Sequence, residues 1–211
     1  MGASERLSAL QRRYIRPRAV RRRSSAEWRG VNLGSGPAHV ESFCAIDIAG
    51  PADLLVDLSR HGIPFPDASL EAVVCMSAIN YFTRSRAAEL IDETHRVLRP
   101  GGVARFGSQD MKSLARRYVE NDEDFFFQTL NNGHDRFPGP TIGDKFVAWF
   151  YGHETAGGPC RYFYDYESLA YLFTQVGFAT VERCEYGVSR LPEAEFLDNR
   201  PEQMFFLEGV K

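Results

Sequence analysis

Val31-Asn32-Leu33-Gly34-Ser35-Gly36-Pro37 is followed, eleven residues after Gly36, by Asp47, near the end of a second apolar run, Phe43-Cys44-Ala45-Ile46-Asp47-Ile48. A strand that breaks into glycines lets the backbone approach a ligand, because glycine has no side chain in the way and tolerates positive φ. An acid at the tip of the next parallel strand can accept hydrogen bonds from both hydroxyls of a ribose. Together the two stretches describe a nucleotide-like pocket at the carboxyl edge of an α/β sheet. Alone, Gly34-Ser35-Gly36 also reads as a tight turn.

Outward from there, apolar runs alternate with helical patterns. Gly30–Leu33, Phe43–Ile48, Asp53–Asp57 and Glu71–Ser77 read as strands. Thr83–Leu98 reads as a helix, because Ala87, Leu90, Ile91, Thr94, Val97 and Leu98 share one face. Pro100-Gly101-Gly102 is a stop and turn, and Val103–Gly107 is a fifth strand. Tyr166–Gln175 is a further helix ended by Gly177. Phe178–Tyr186 and Glu202–Val210 read as an antiparallel pair with a long connection. The order predicts a Rossmann-like, doubly wound, seven-stranded α/β sheet, mostly parallel with an antiparallel C-terminal strand. Residues 111–166 are rich in aromatics and broken by Asn131-Asn132-Gly133 and Pro138-Gly139-Pro140. A stretch of that length reads as a lid, a binding segment or an interface, with plain core packing as the alternative.

The chain has 211 residues, enough for one domain with a real core. Hydrophobic residues make up 44% and charged residues 25%, which is ordinary for a soluble globular protein. No apolar run approaches the ~20 residues of a membrane span, and the N-terminus lacks the apolar stretch of a secretory signal. Cys44, Cys75, Cys160 and Cys184 are scattered without a Cys-x-x-Cys pair, so no disulfide framework and no zinc site are expected. The expected location is cytoplasmic. Residues 1–27 hold eight arginines against Glu5 and Glu27, a net of +6, while the whole chain carries −3. The rest is therefore acidic. The expected organisation is a basic arm over residues 1–27 and one domain over 28–211, with an aromatic insertion at 111–166. The arm reads either as a solvated tail or as a segment that docks on an anionic membrane surface. Leu7, Leu10, Tyr14 and Ile15 have the spacing of a short amphipathic helix.

These residues in this order resemble a class I S-adenosylmethionine-dependent methyltransferase of the type 11-like group. Leu33-Gly34-Ser35-Gly36 is similar to the first motif of that family. Asp47 is similar to its ribose-binding acid. Asp57-Leu58, followed by Ile63-Pro64-Phe65-Pro66-Asp67, is similar to the segment whose acid meets the adenine amino group. Ser69-Leu70-Glu71-Ala72-Val73-Val74 resembles the fourth-strand motif, and Glu93 through Gly102 resembles the helix-to-turn phrase. The resemblance covers residues 30–110 closely and Tyr164–Phe178 more loosely. Leu197-Asp198-Asn199-Arg200-Pro201-Glu202 resembles a small bacterial group of predicted methyltransferases associated with cell-surface polysaccharide synthesis. The resemblance implies S-adenosylmethionine as cofactor. It implies a cofactor site at Leu33, Gly34, Ser35, Gly36, Asp47, Ile48, Asp57, Leu58, Met76 and Ser77. It further implies a small-molecule acceptor, with an oxygen on a sugar or glycan favoured.

Three departures stand out. The spacing from Gly36 to Asp47 is far shorter than the ~20 residues of a dinucleotide fingerprint, and no Gly-x-Gly-x-x-Gly is present. The intervening helix must be very short or absent, which leaves backbone N–H groups of the Gly34–Pro37 turn to bind the methionine carboxylate as a nest. The fourth strand begins with Glu71 where the family has aspartate. Asn80-Tyr81 stands where an acid-histidine pair is common, which puts histidine chemistry there in doubt. Methyl transfer from a sulfonium mainly requires alignment and exclusion of water, and an alcohol or amine acceptor also needs a base. Tyr81, His153 and His134 are the candidates. No metal site is expected, since no carboxylate/His cluster has ligand spacing. Two other readings stay open. One is a non-catalytic S-adenosylmethionine-binding protein. The other is a nucleic-acid methyltransferase recruited by the arm, which the acidic body and the missing Asn/Asp-Pro-Pro-Tyr motif disfavour.

Overall fold

A computed structural model describes residues 28–130, 132–152 and 154–211. The basic arm and His153 lie outside the described residues. Seven strands form one sheet: β1 (Gly30–Leu33), β2 (Phe43–Asp47), β3 (Leu54–Leu55), β4 (Leu70–Met76), β5 (Leu98–Gln109), β8 (Thr180–Cys184) and β9 (Met204–Val210). Their order is β3-β2-β1-β4-β5-β9-β8. β1 to β5 run parallel, and β9 is antiparallel to both β5 and β8. This is the mostly parallel α/β sheet that the sequence predicts. Between β4 and β5 runs α1 (Arg84–Val97). Next come α2 (Met111–Val119), α3 (Glu123–Phe126), α4 (Ile142–Tyr151) and a small hairpin, β6 (Glu154–Thr155) with β7 (Gly158–Pro159). α5 (Tyr166–Val176) precedes β8, and a four-residue helix, α6 (Ala194–Leu197), lies before β9.

The side-chain period of two sorts the strands onto two faces. Leu70, Val73 and Cys75 of β4 join Ala104, Phe106, Phe205 and Leu207 on one face, which α1 and α5 cover. Ala72, Val74 and Met76 join Phe43, Val103, Met204 and Phe206 on the other, which Leu191 and Leu197 cover from the β8–β9 connection. α1 buries Ala87, Leu90, Ile91, Thr94 and Val97, the face its periodicity predicts. It is capped by Thr83, whose hydroxyl accepts from the Arg86 N–H at 3.3 Å. α1 stops at Val97 because Leu98 already pairs with Leu70 in the ladder, so Pro100-Gly101-Gly102 forms an irregularity within β5. β3 is shorter than expected, two residues rather than five, because only Leu54 and Leu55 reach the edge of β2. No helix links β1 to β2, β2 to β3 or β3 to β4 among the described residues.

α2, α3 and α4 carry a satellite core of Leu114, Phe125, Phe126, Phe137 and Trp149. Lys145 is fully buried there, bonding Asp135 at 2.7 Å and the Phe137 carbonyl at 2.8 Å. The aromatic stretch is thus mostly packed core. Its β6–β7 turn reaches the sheet's carboxyl edge, and so does the chain entering α5, where Arg161 and Tyr162 donate to the Asn80 carbonyl at 2.7 and 3.2 Å.

Candidate functional site

A cavity of about 430 Å³ lies across the carboxyl ends of β1, β2, β4 and β5, the edge where open α/β sheets bind ligands. Of the ten residues the resemblance implies for the cofactor, nine line it: Gly34, Ser35, Gly36, Asp47, Ile48, Asp57, Leu58, Met76 and Ser77. Leu33 does not line it. It is fully buried in β1, because the period of two turns its side chain into the core.

The glycine turn is built by local constraint. Gly34 has φ +62°, and a Cβ placed there would lie 2.3 Å from the Cβ of Ala78. Gly36 has φ +53° with open space around it, so it is required for backbone conformation only. The turn's N–H groups are already engaged. Those of Gly34 and Ser35 donate to the Ile46 carbonyl at 2.8 and 3.2 Å. That of Gly36 donates to Asp47 Oδ2 at 2.8 Å, and Pro37 has none. The nest expected at Gly34–Pro37 is therefore not formed. The missing helix explains it: after so short a connection the turn is satisfied by β2 itself.

Asp47 accepts from Gly36 N–H through Oδ2 and from Ala49 N–H, at 3.2 Å, through Oδ1. Each carboxylate oxygen has two acceptor positions, so one on each is left for a ribose hydroxyl. Asp57 accepts from the Ser59 N–H at 3.0 Å and hydroxyl at 2.5 Å, so it braces its own loop while lining the cavity. Ser77 sits at φ +58°, an uncommon conformation for a residue with a side chain.

The catalytic candidates separate. Tyr81 lines the cavity. Burial, reinforced by the Cys160 thiol and opposed by Arg200, pushes its phenol up to about 12. At neutral pH it is a hydrogen-bond donor and a poor base. His134 lies exposed in the loop before α4 and does not line the cavity. Asn80 is fully buried: its Nδ2 donates to the Tyr162 carbonyl at 3.0 Å, and its Oδ1 accepts from Ser108 at 3.2 Å. It ties β4 to β5 and to the chain entering α5, which is a structural task.

Residues not foreseen also line the site. Gln109 ends β5, Thr155–Gly157 form the β6–β7 turn, and Asn199 and Arg200 follow α6. Arg105 explains how the last two are held. It is fully buried on β5 and grips Asp198 through Nε at 2.8 Å and Nη2 at 2.5 Å, and Glu208 through Nη1 at 3.0 Å. Burial opposes the charge, but the two carboxylates outweigh it and raise the Arg105 pKa. One sequence signal was available: an arginine in the middle of an apolar strand demands buried acids elsewhere.

Residues 43–106 match the family model described as a methyltransferase domain. The chain carries a methyltransferase domain. The match spans β2 through most of β5, including Asp47, Asp57 and Met76, and its chemistry runs on S-adenosylmethionine. A comparison with curated proteins finds no match. Among solved structures, an S-adenosylmethionine-dependent methyltransferase from Mesorhizobium loti is 17% identical, with 100% of this chain and 99% of that one covered and a TM-score of 0.48. One from Thermotoga maritima is also 17% identical, covering 87% of this chain and 82% of that one, with a TM-score of 0.49. The 1,6-didemethyltoxoflavin-N1-methyltransferase of Burkholderia thailandensis, solved with S-adenosylhomocysteine, is 12% identical over 86% of this chain and 70% of that one, with a TM-score of 0.46. Among the described residues, no helix of this methyltransferase is long and apolar enough to cross a membrane.

Proposed function

We propose that this methyltransferase acts on a small molecule, with an oxygen on a sugar or glycan as acceptor. The observation that carries the reading is the pairing of Asp47 with the Gly34–Gly36 turn at the mouth of one cavity. The cavity's size suits a small-molecule ligand, for which ~300–1,000 Å³ is usual. The residues present fit the cofactor: Asp47 retains acceptor capacity for two hydroxyls, Asp57 and Leu58 stand on the adenine side, and Met76 and Ser77 floor the centre. The sugar preference rests on the likeness of residues 197–202 to the polysaccharide-associated group.

S-adenosylmethionine supplies the electrophilic methyl group and its own leaving group. The chain's residues align and shield. The β6–β7 turn and Phe82 line the cavity, where they would help exclude water once a ligand is bound, and a drier site strengthens every polar contact inside it. Tyr81 donates a hydrogen bond that orients the acceptor oxygen. His153 is assigned as the base that takes the acceptor's proton, on its sequence position two residues before Thr155.

Calorimetric titration with S-adenosylmethionine and S-adenosylhomocysteine, with NAD as control, tests the pocket. The first two bind and the third does not. Asp47→Ala weakens both by tenfold or more, about 1.4 kcal/mol, with an unchanged circular dichroism spectrum. Normal binding by Asp47→Ala overturns the pocket assignment.

A further inference from the structure

The methionine end of the cofactor carries one carboxylate and one ammonium, and the glycine turn has no donor left for the first. The N–H groups of Gly34, Ser35 and Gly36 are bonded within the protein, and that of Ala38 donates to the Ser35 carbonyl at 3.0 Å. The Ser77 N–H is also taken, by the Gly107 carbonyl at 3.0 Å. An anion at the glycine turn must therefore find its donor elsewhere in the cavity lining.

Among the described residues, Arg200 is the only cationic one lining the cavity. Among the described residues its guanidinium makes no hydrogen bond and no ion pair. Its neighbour Glu202 is engaged by Arg136 instead. Arg200 is held at φ +50°, a conformation costly for a residue with a side chain. The buried Arg105–Asp198 clamp, two residues earlier, fixes the segment there. Arg200 is exposed, so its guanidinium meets water at the cavity mouth and is free to exchange that water for an anionic ligand.

Gln109 supplies a second, independent observation. It is 5% exposed, lines the same cavity from the end of β5, and its Oε1 has no hydrogen-bond partner. A buried amide oxygen without a donor loses the water it had in the unfolded chain and gains nothing in return. A half-turn of the terminal torsion exchanges its oxygen and nitrogen, so the group can turn an acceptor toward a ligand.

We infer that Arg200 and Gln109 form the seat for the amino-acid end of the cofactor, with the guanidinium receiving the carboxylate and the Gln109 amide oxygen receiving the ammonium. The planar guanidinium fork matches a carboxylate in two parallel hydrogen bonds. This seat replaces the backbone nest that the short β1–β2 connection cannot form. The inference rests on the S-adenosylmethionine reading above.

The test uses the full chain and two ligands that share the adenosine and thioether. S-adenosylhomocysteine carries the amino-acid end, and 5′-methylthioadenosine lacks it. Wild-type protein binds the first more tightly. Arg200→Ala weakens S-adenosylhomocysteine at least tenfold and leaves 5′-methylthioadenosine unchanged, so the ratio of the two collapses. Arg200→Lys falls between, because it keeps the charge and loses the fork, and it serves as the second variant where the alanine form does not fold. Gln109→Leu lowers S-adenosylhomocysteine affinity several-fold, again sparing 5′-methylthioadenosine. An unchanged ratio in Arg200→Ala overturns the inference and leaves the arginine to an acidic acceptor. Equal loss of both ligands overturns it as well. Wild-type protein that binds neither ligand overturns the proposed function itself.

Discussion

Replacing Arg105 by methionine removes the cation from a site where two carboxylates are buried. The side chains of Asp198 and Glu208 are 0% and 1% exposed. The consequences differ between them. Glu208 retains the Ser189 hydroxyl and the Arg190 N–H, the latter at 3.3 Å, as well as the Arg190 guanidinium at 3.4 Å. Among the described residues, Asp198 retains only the Gly187 N–H, at 2.8 Å. The loss therefore falls on Asp198, and breaking a buried pair from one side costs about 3–5 kcal/mol. Asp198→Asn is milder, because Arg105 then faces Glu208 alone in a neutral pair, and weakened bonds to a charged group cost about 1.5–3 kcal/mol. Urea unfolding at 25 °C measures both. With a slope near ~2 kcal/mol per molar, Arg105→Met lowers the midpoint by about 1.5–2.5 M. The double variant Arg105→Met/Asp198→Leu leaves less charge unpaired and recovers part of the loss, a coupling that a double-mutant cycle reads directly. The segment carrying Asn199 and Arg200 loosens in Arg105→Met, so affinity for S-adenosylhomocysteine falls with stability. A midpoint within ~0.5 M of wild type, or a larger loss in Asp198→Asn than in Arg105→Met, refutes this account of the cluster.

Gly34→Ala is expected to destabilise more than Gly36→Ala in thermal unfolding, because the first meets Ala78 at 2.3 Å and the second meets open space. Gly36→Ala pays only the conformational term of about 1–2 kcal/mol. Tyr81→Phe should flatten the alkaline loss of stability. The native phenol is pushed up to about 12, against ~10 in the unfolded chain. Between those values the unfolded chain releases a proton that the native state keeps, so stability falls as pH rises through the window. Equal pH slopes for wild type and variant in urea titrations would contradict the assignment. Lys112→Ala should change stability by less than ~1 kcal/mol in the same assay, because its 3.2 Å pair with Glu167 is exposed on both sides.

Most of the sheet was legible because its signals are local. The apolar runs at residues 30–33, 43–47 and 70–76 and the one-sided pattern of α1 lie in consecutive residues. Gly34, Asp47 and Asp57, which line the cavity, were legible for the same reason, since each sits at or just beyond the end of a strand. Leu33 was misplaced by one position in the strand alternation. His134 was drawn to the site by its aromatic neighbours, whose rings instead pack on one another in the satellite core. Gln109, Asn199 and Arg200 were missed because they reach the cavity from β5 and from the chain before β9, about 90 residues apart in sequence; residues 197–202 stood out only by their likeness to a family group, and nothing local tied them to the pocket.

By itself, then, the sequence determined the order of strands and helices, the glycine turn and the acid beyond it, since hydrophobic period and glycine's conformational freedom act over a few residues. Only the tertiary structure decided which donors are still free. The Ile46 carbonyl and Asp47 consume the N–H groups of the turn, and Arg105 holds Asp198 so that Arg200 stands at the cavity mouth. Hydrogen-bond saturation and buried charge pairing depend on contacts between distant segments, so no local pattern along the chain could have shown them.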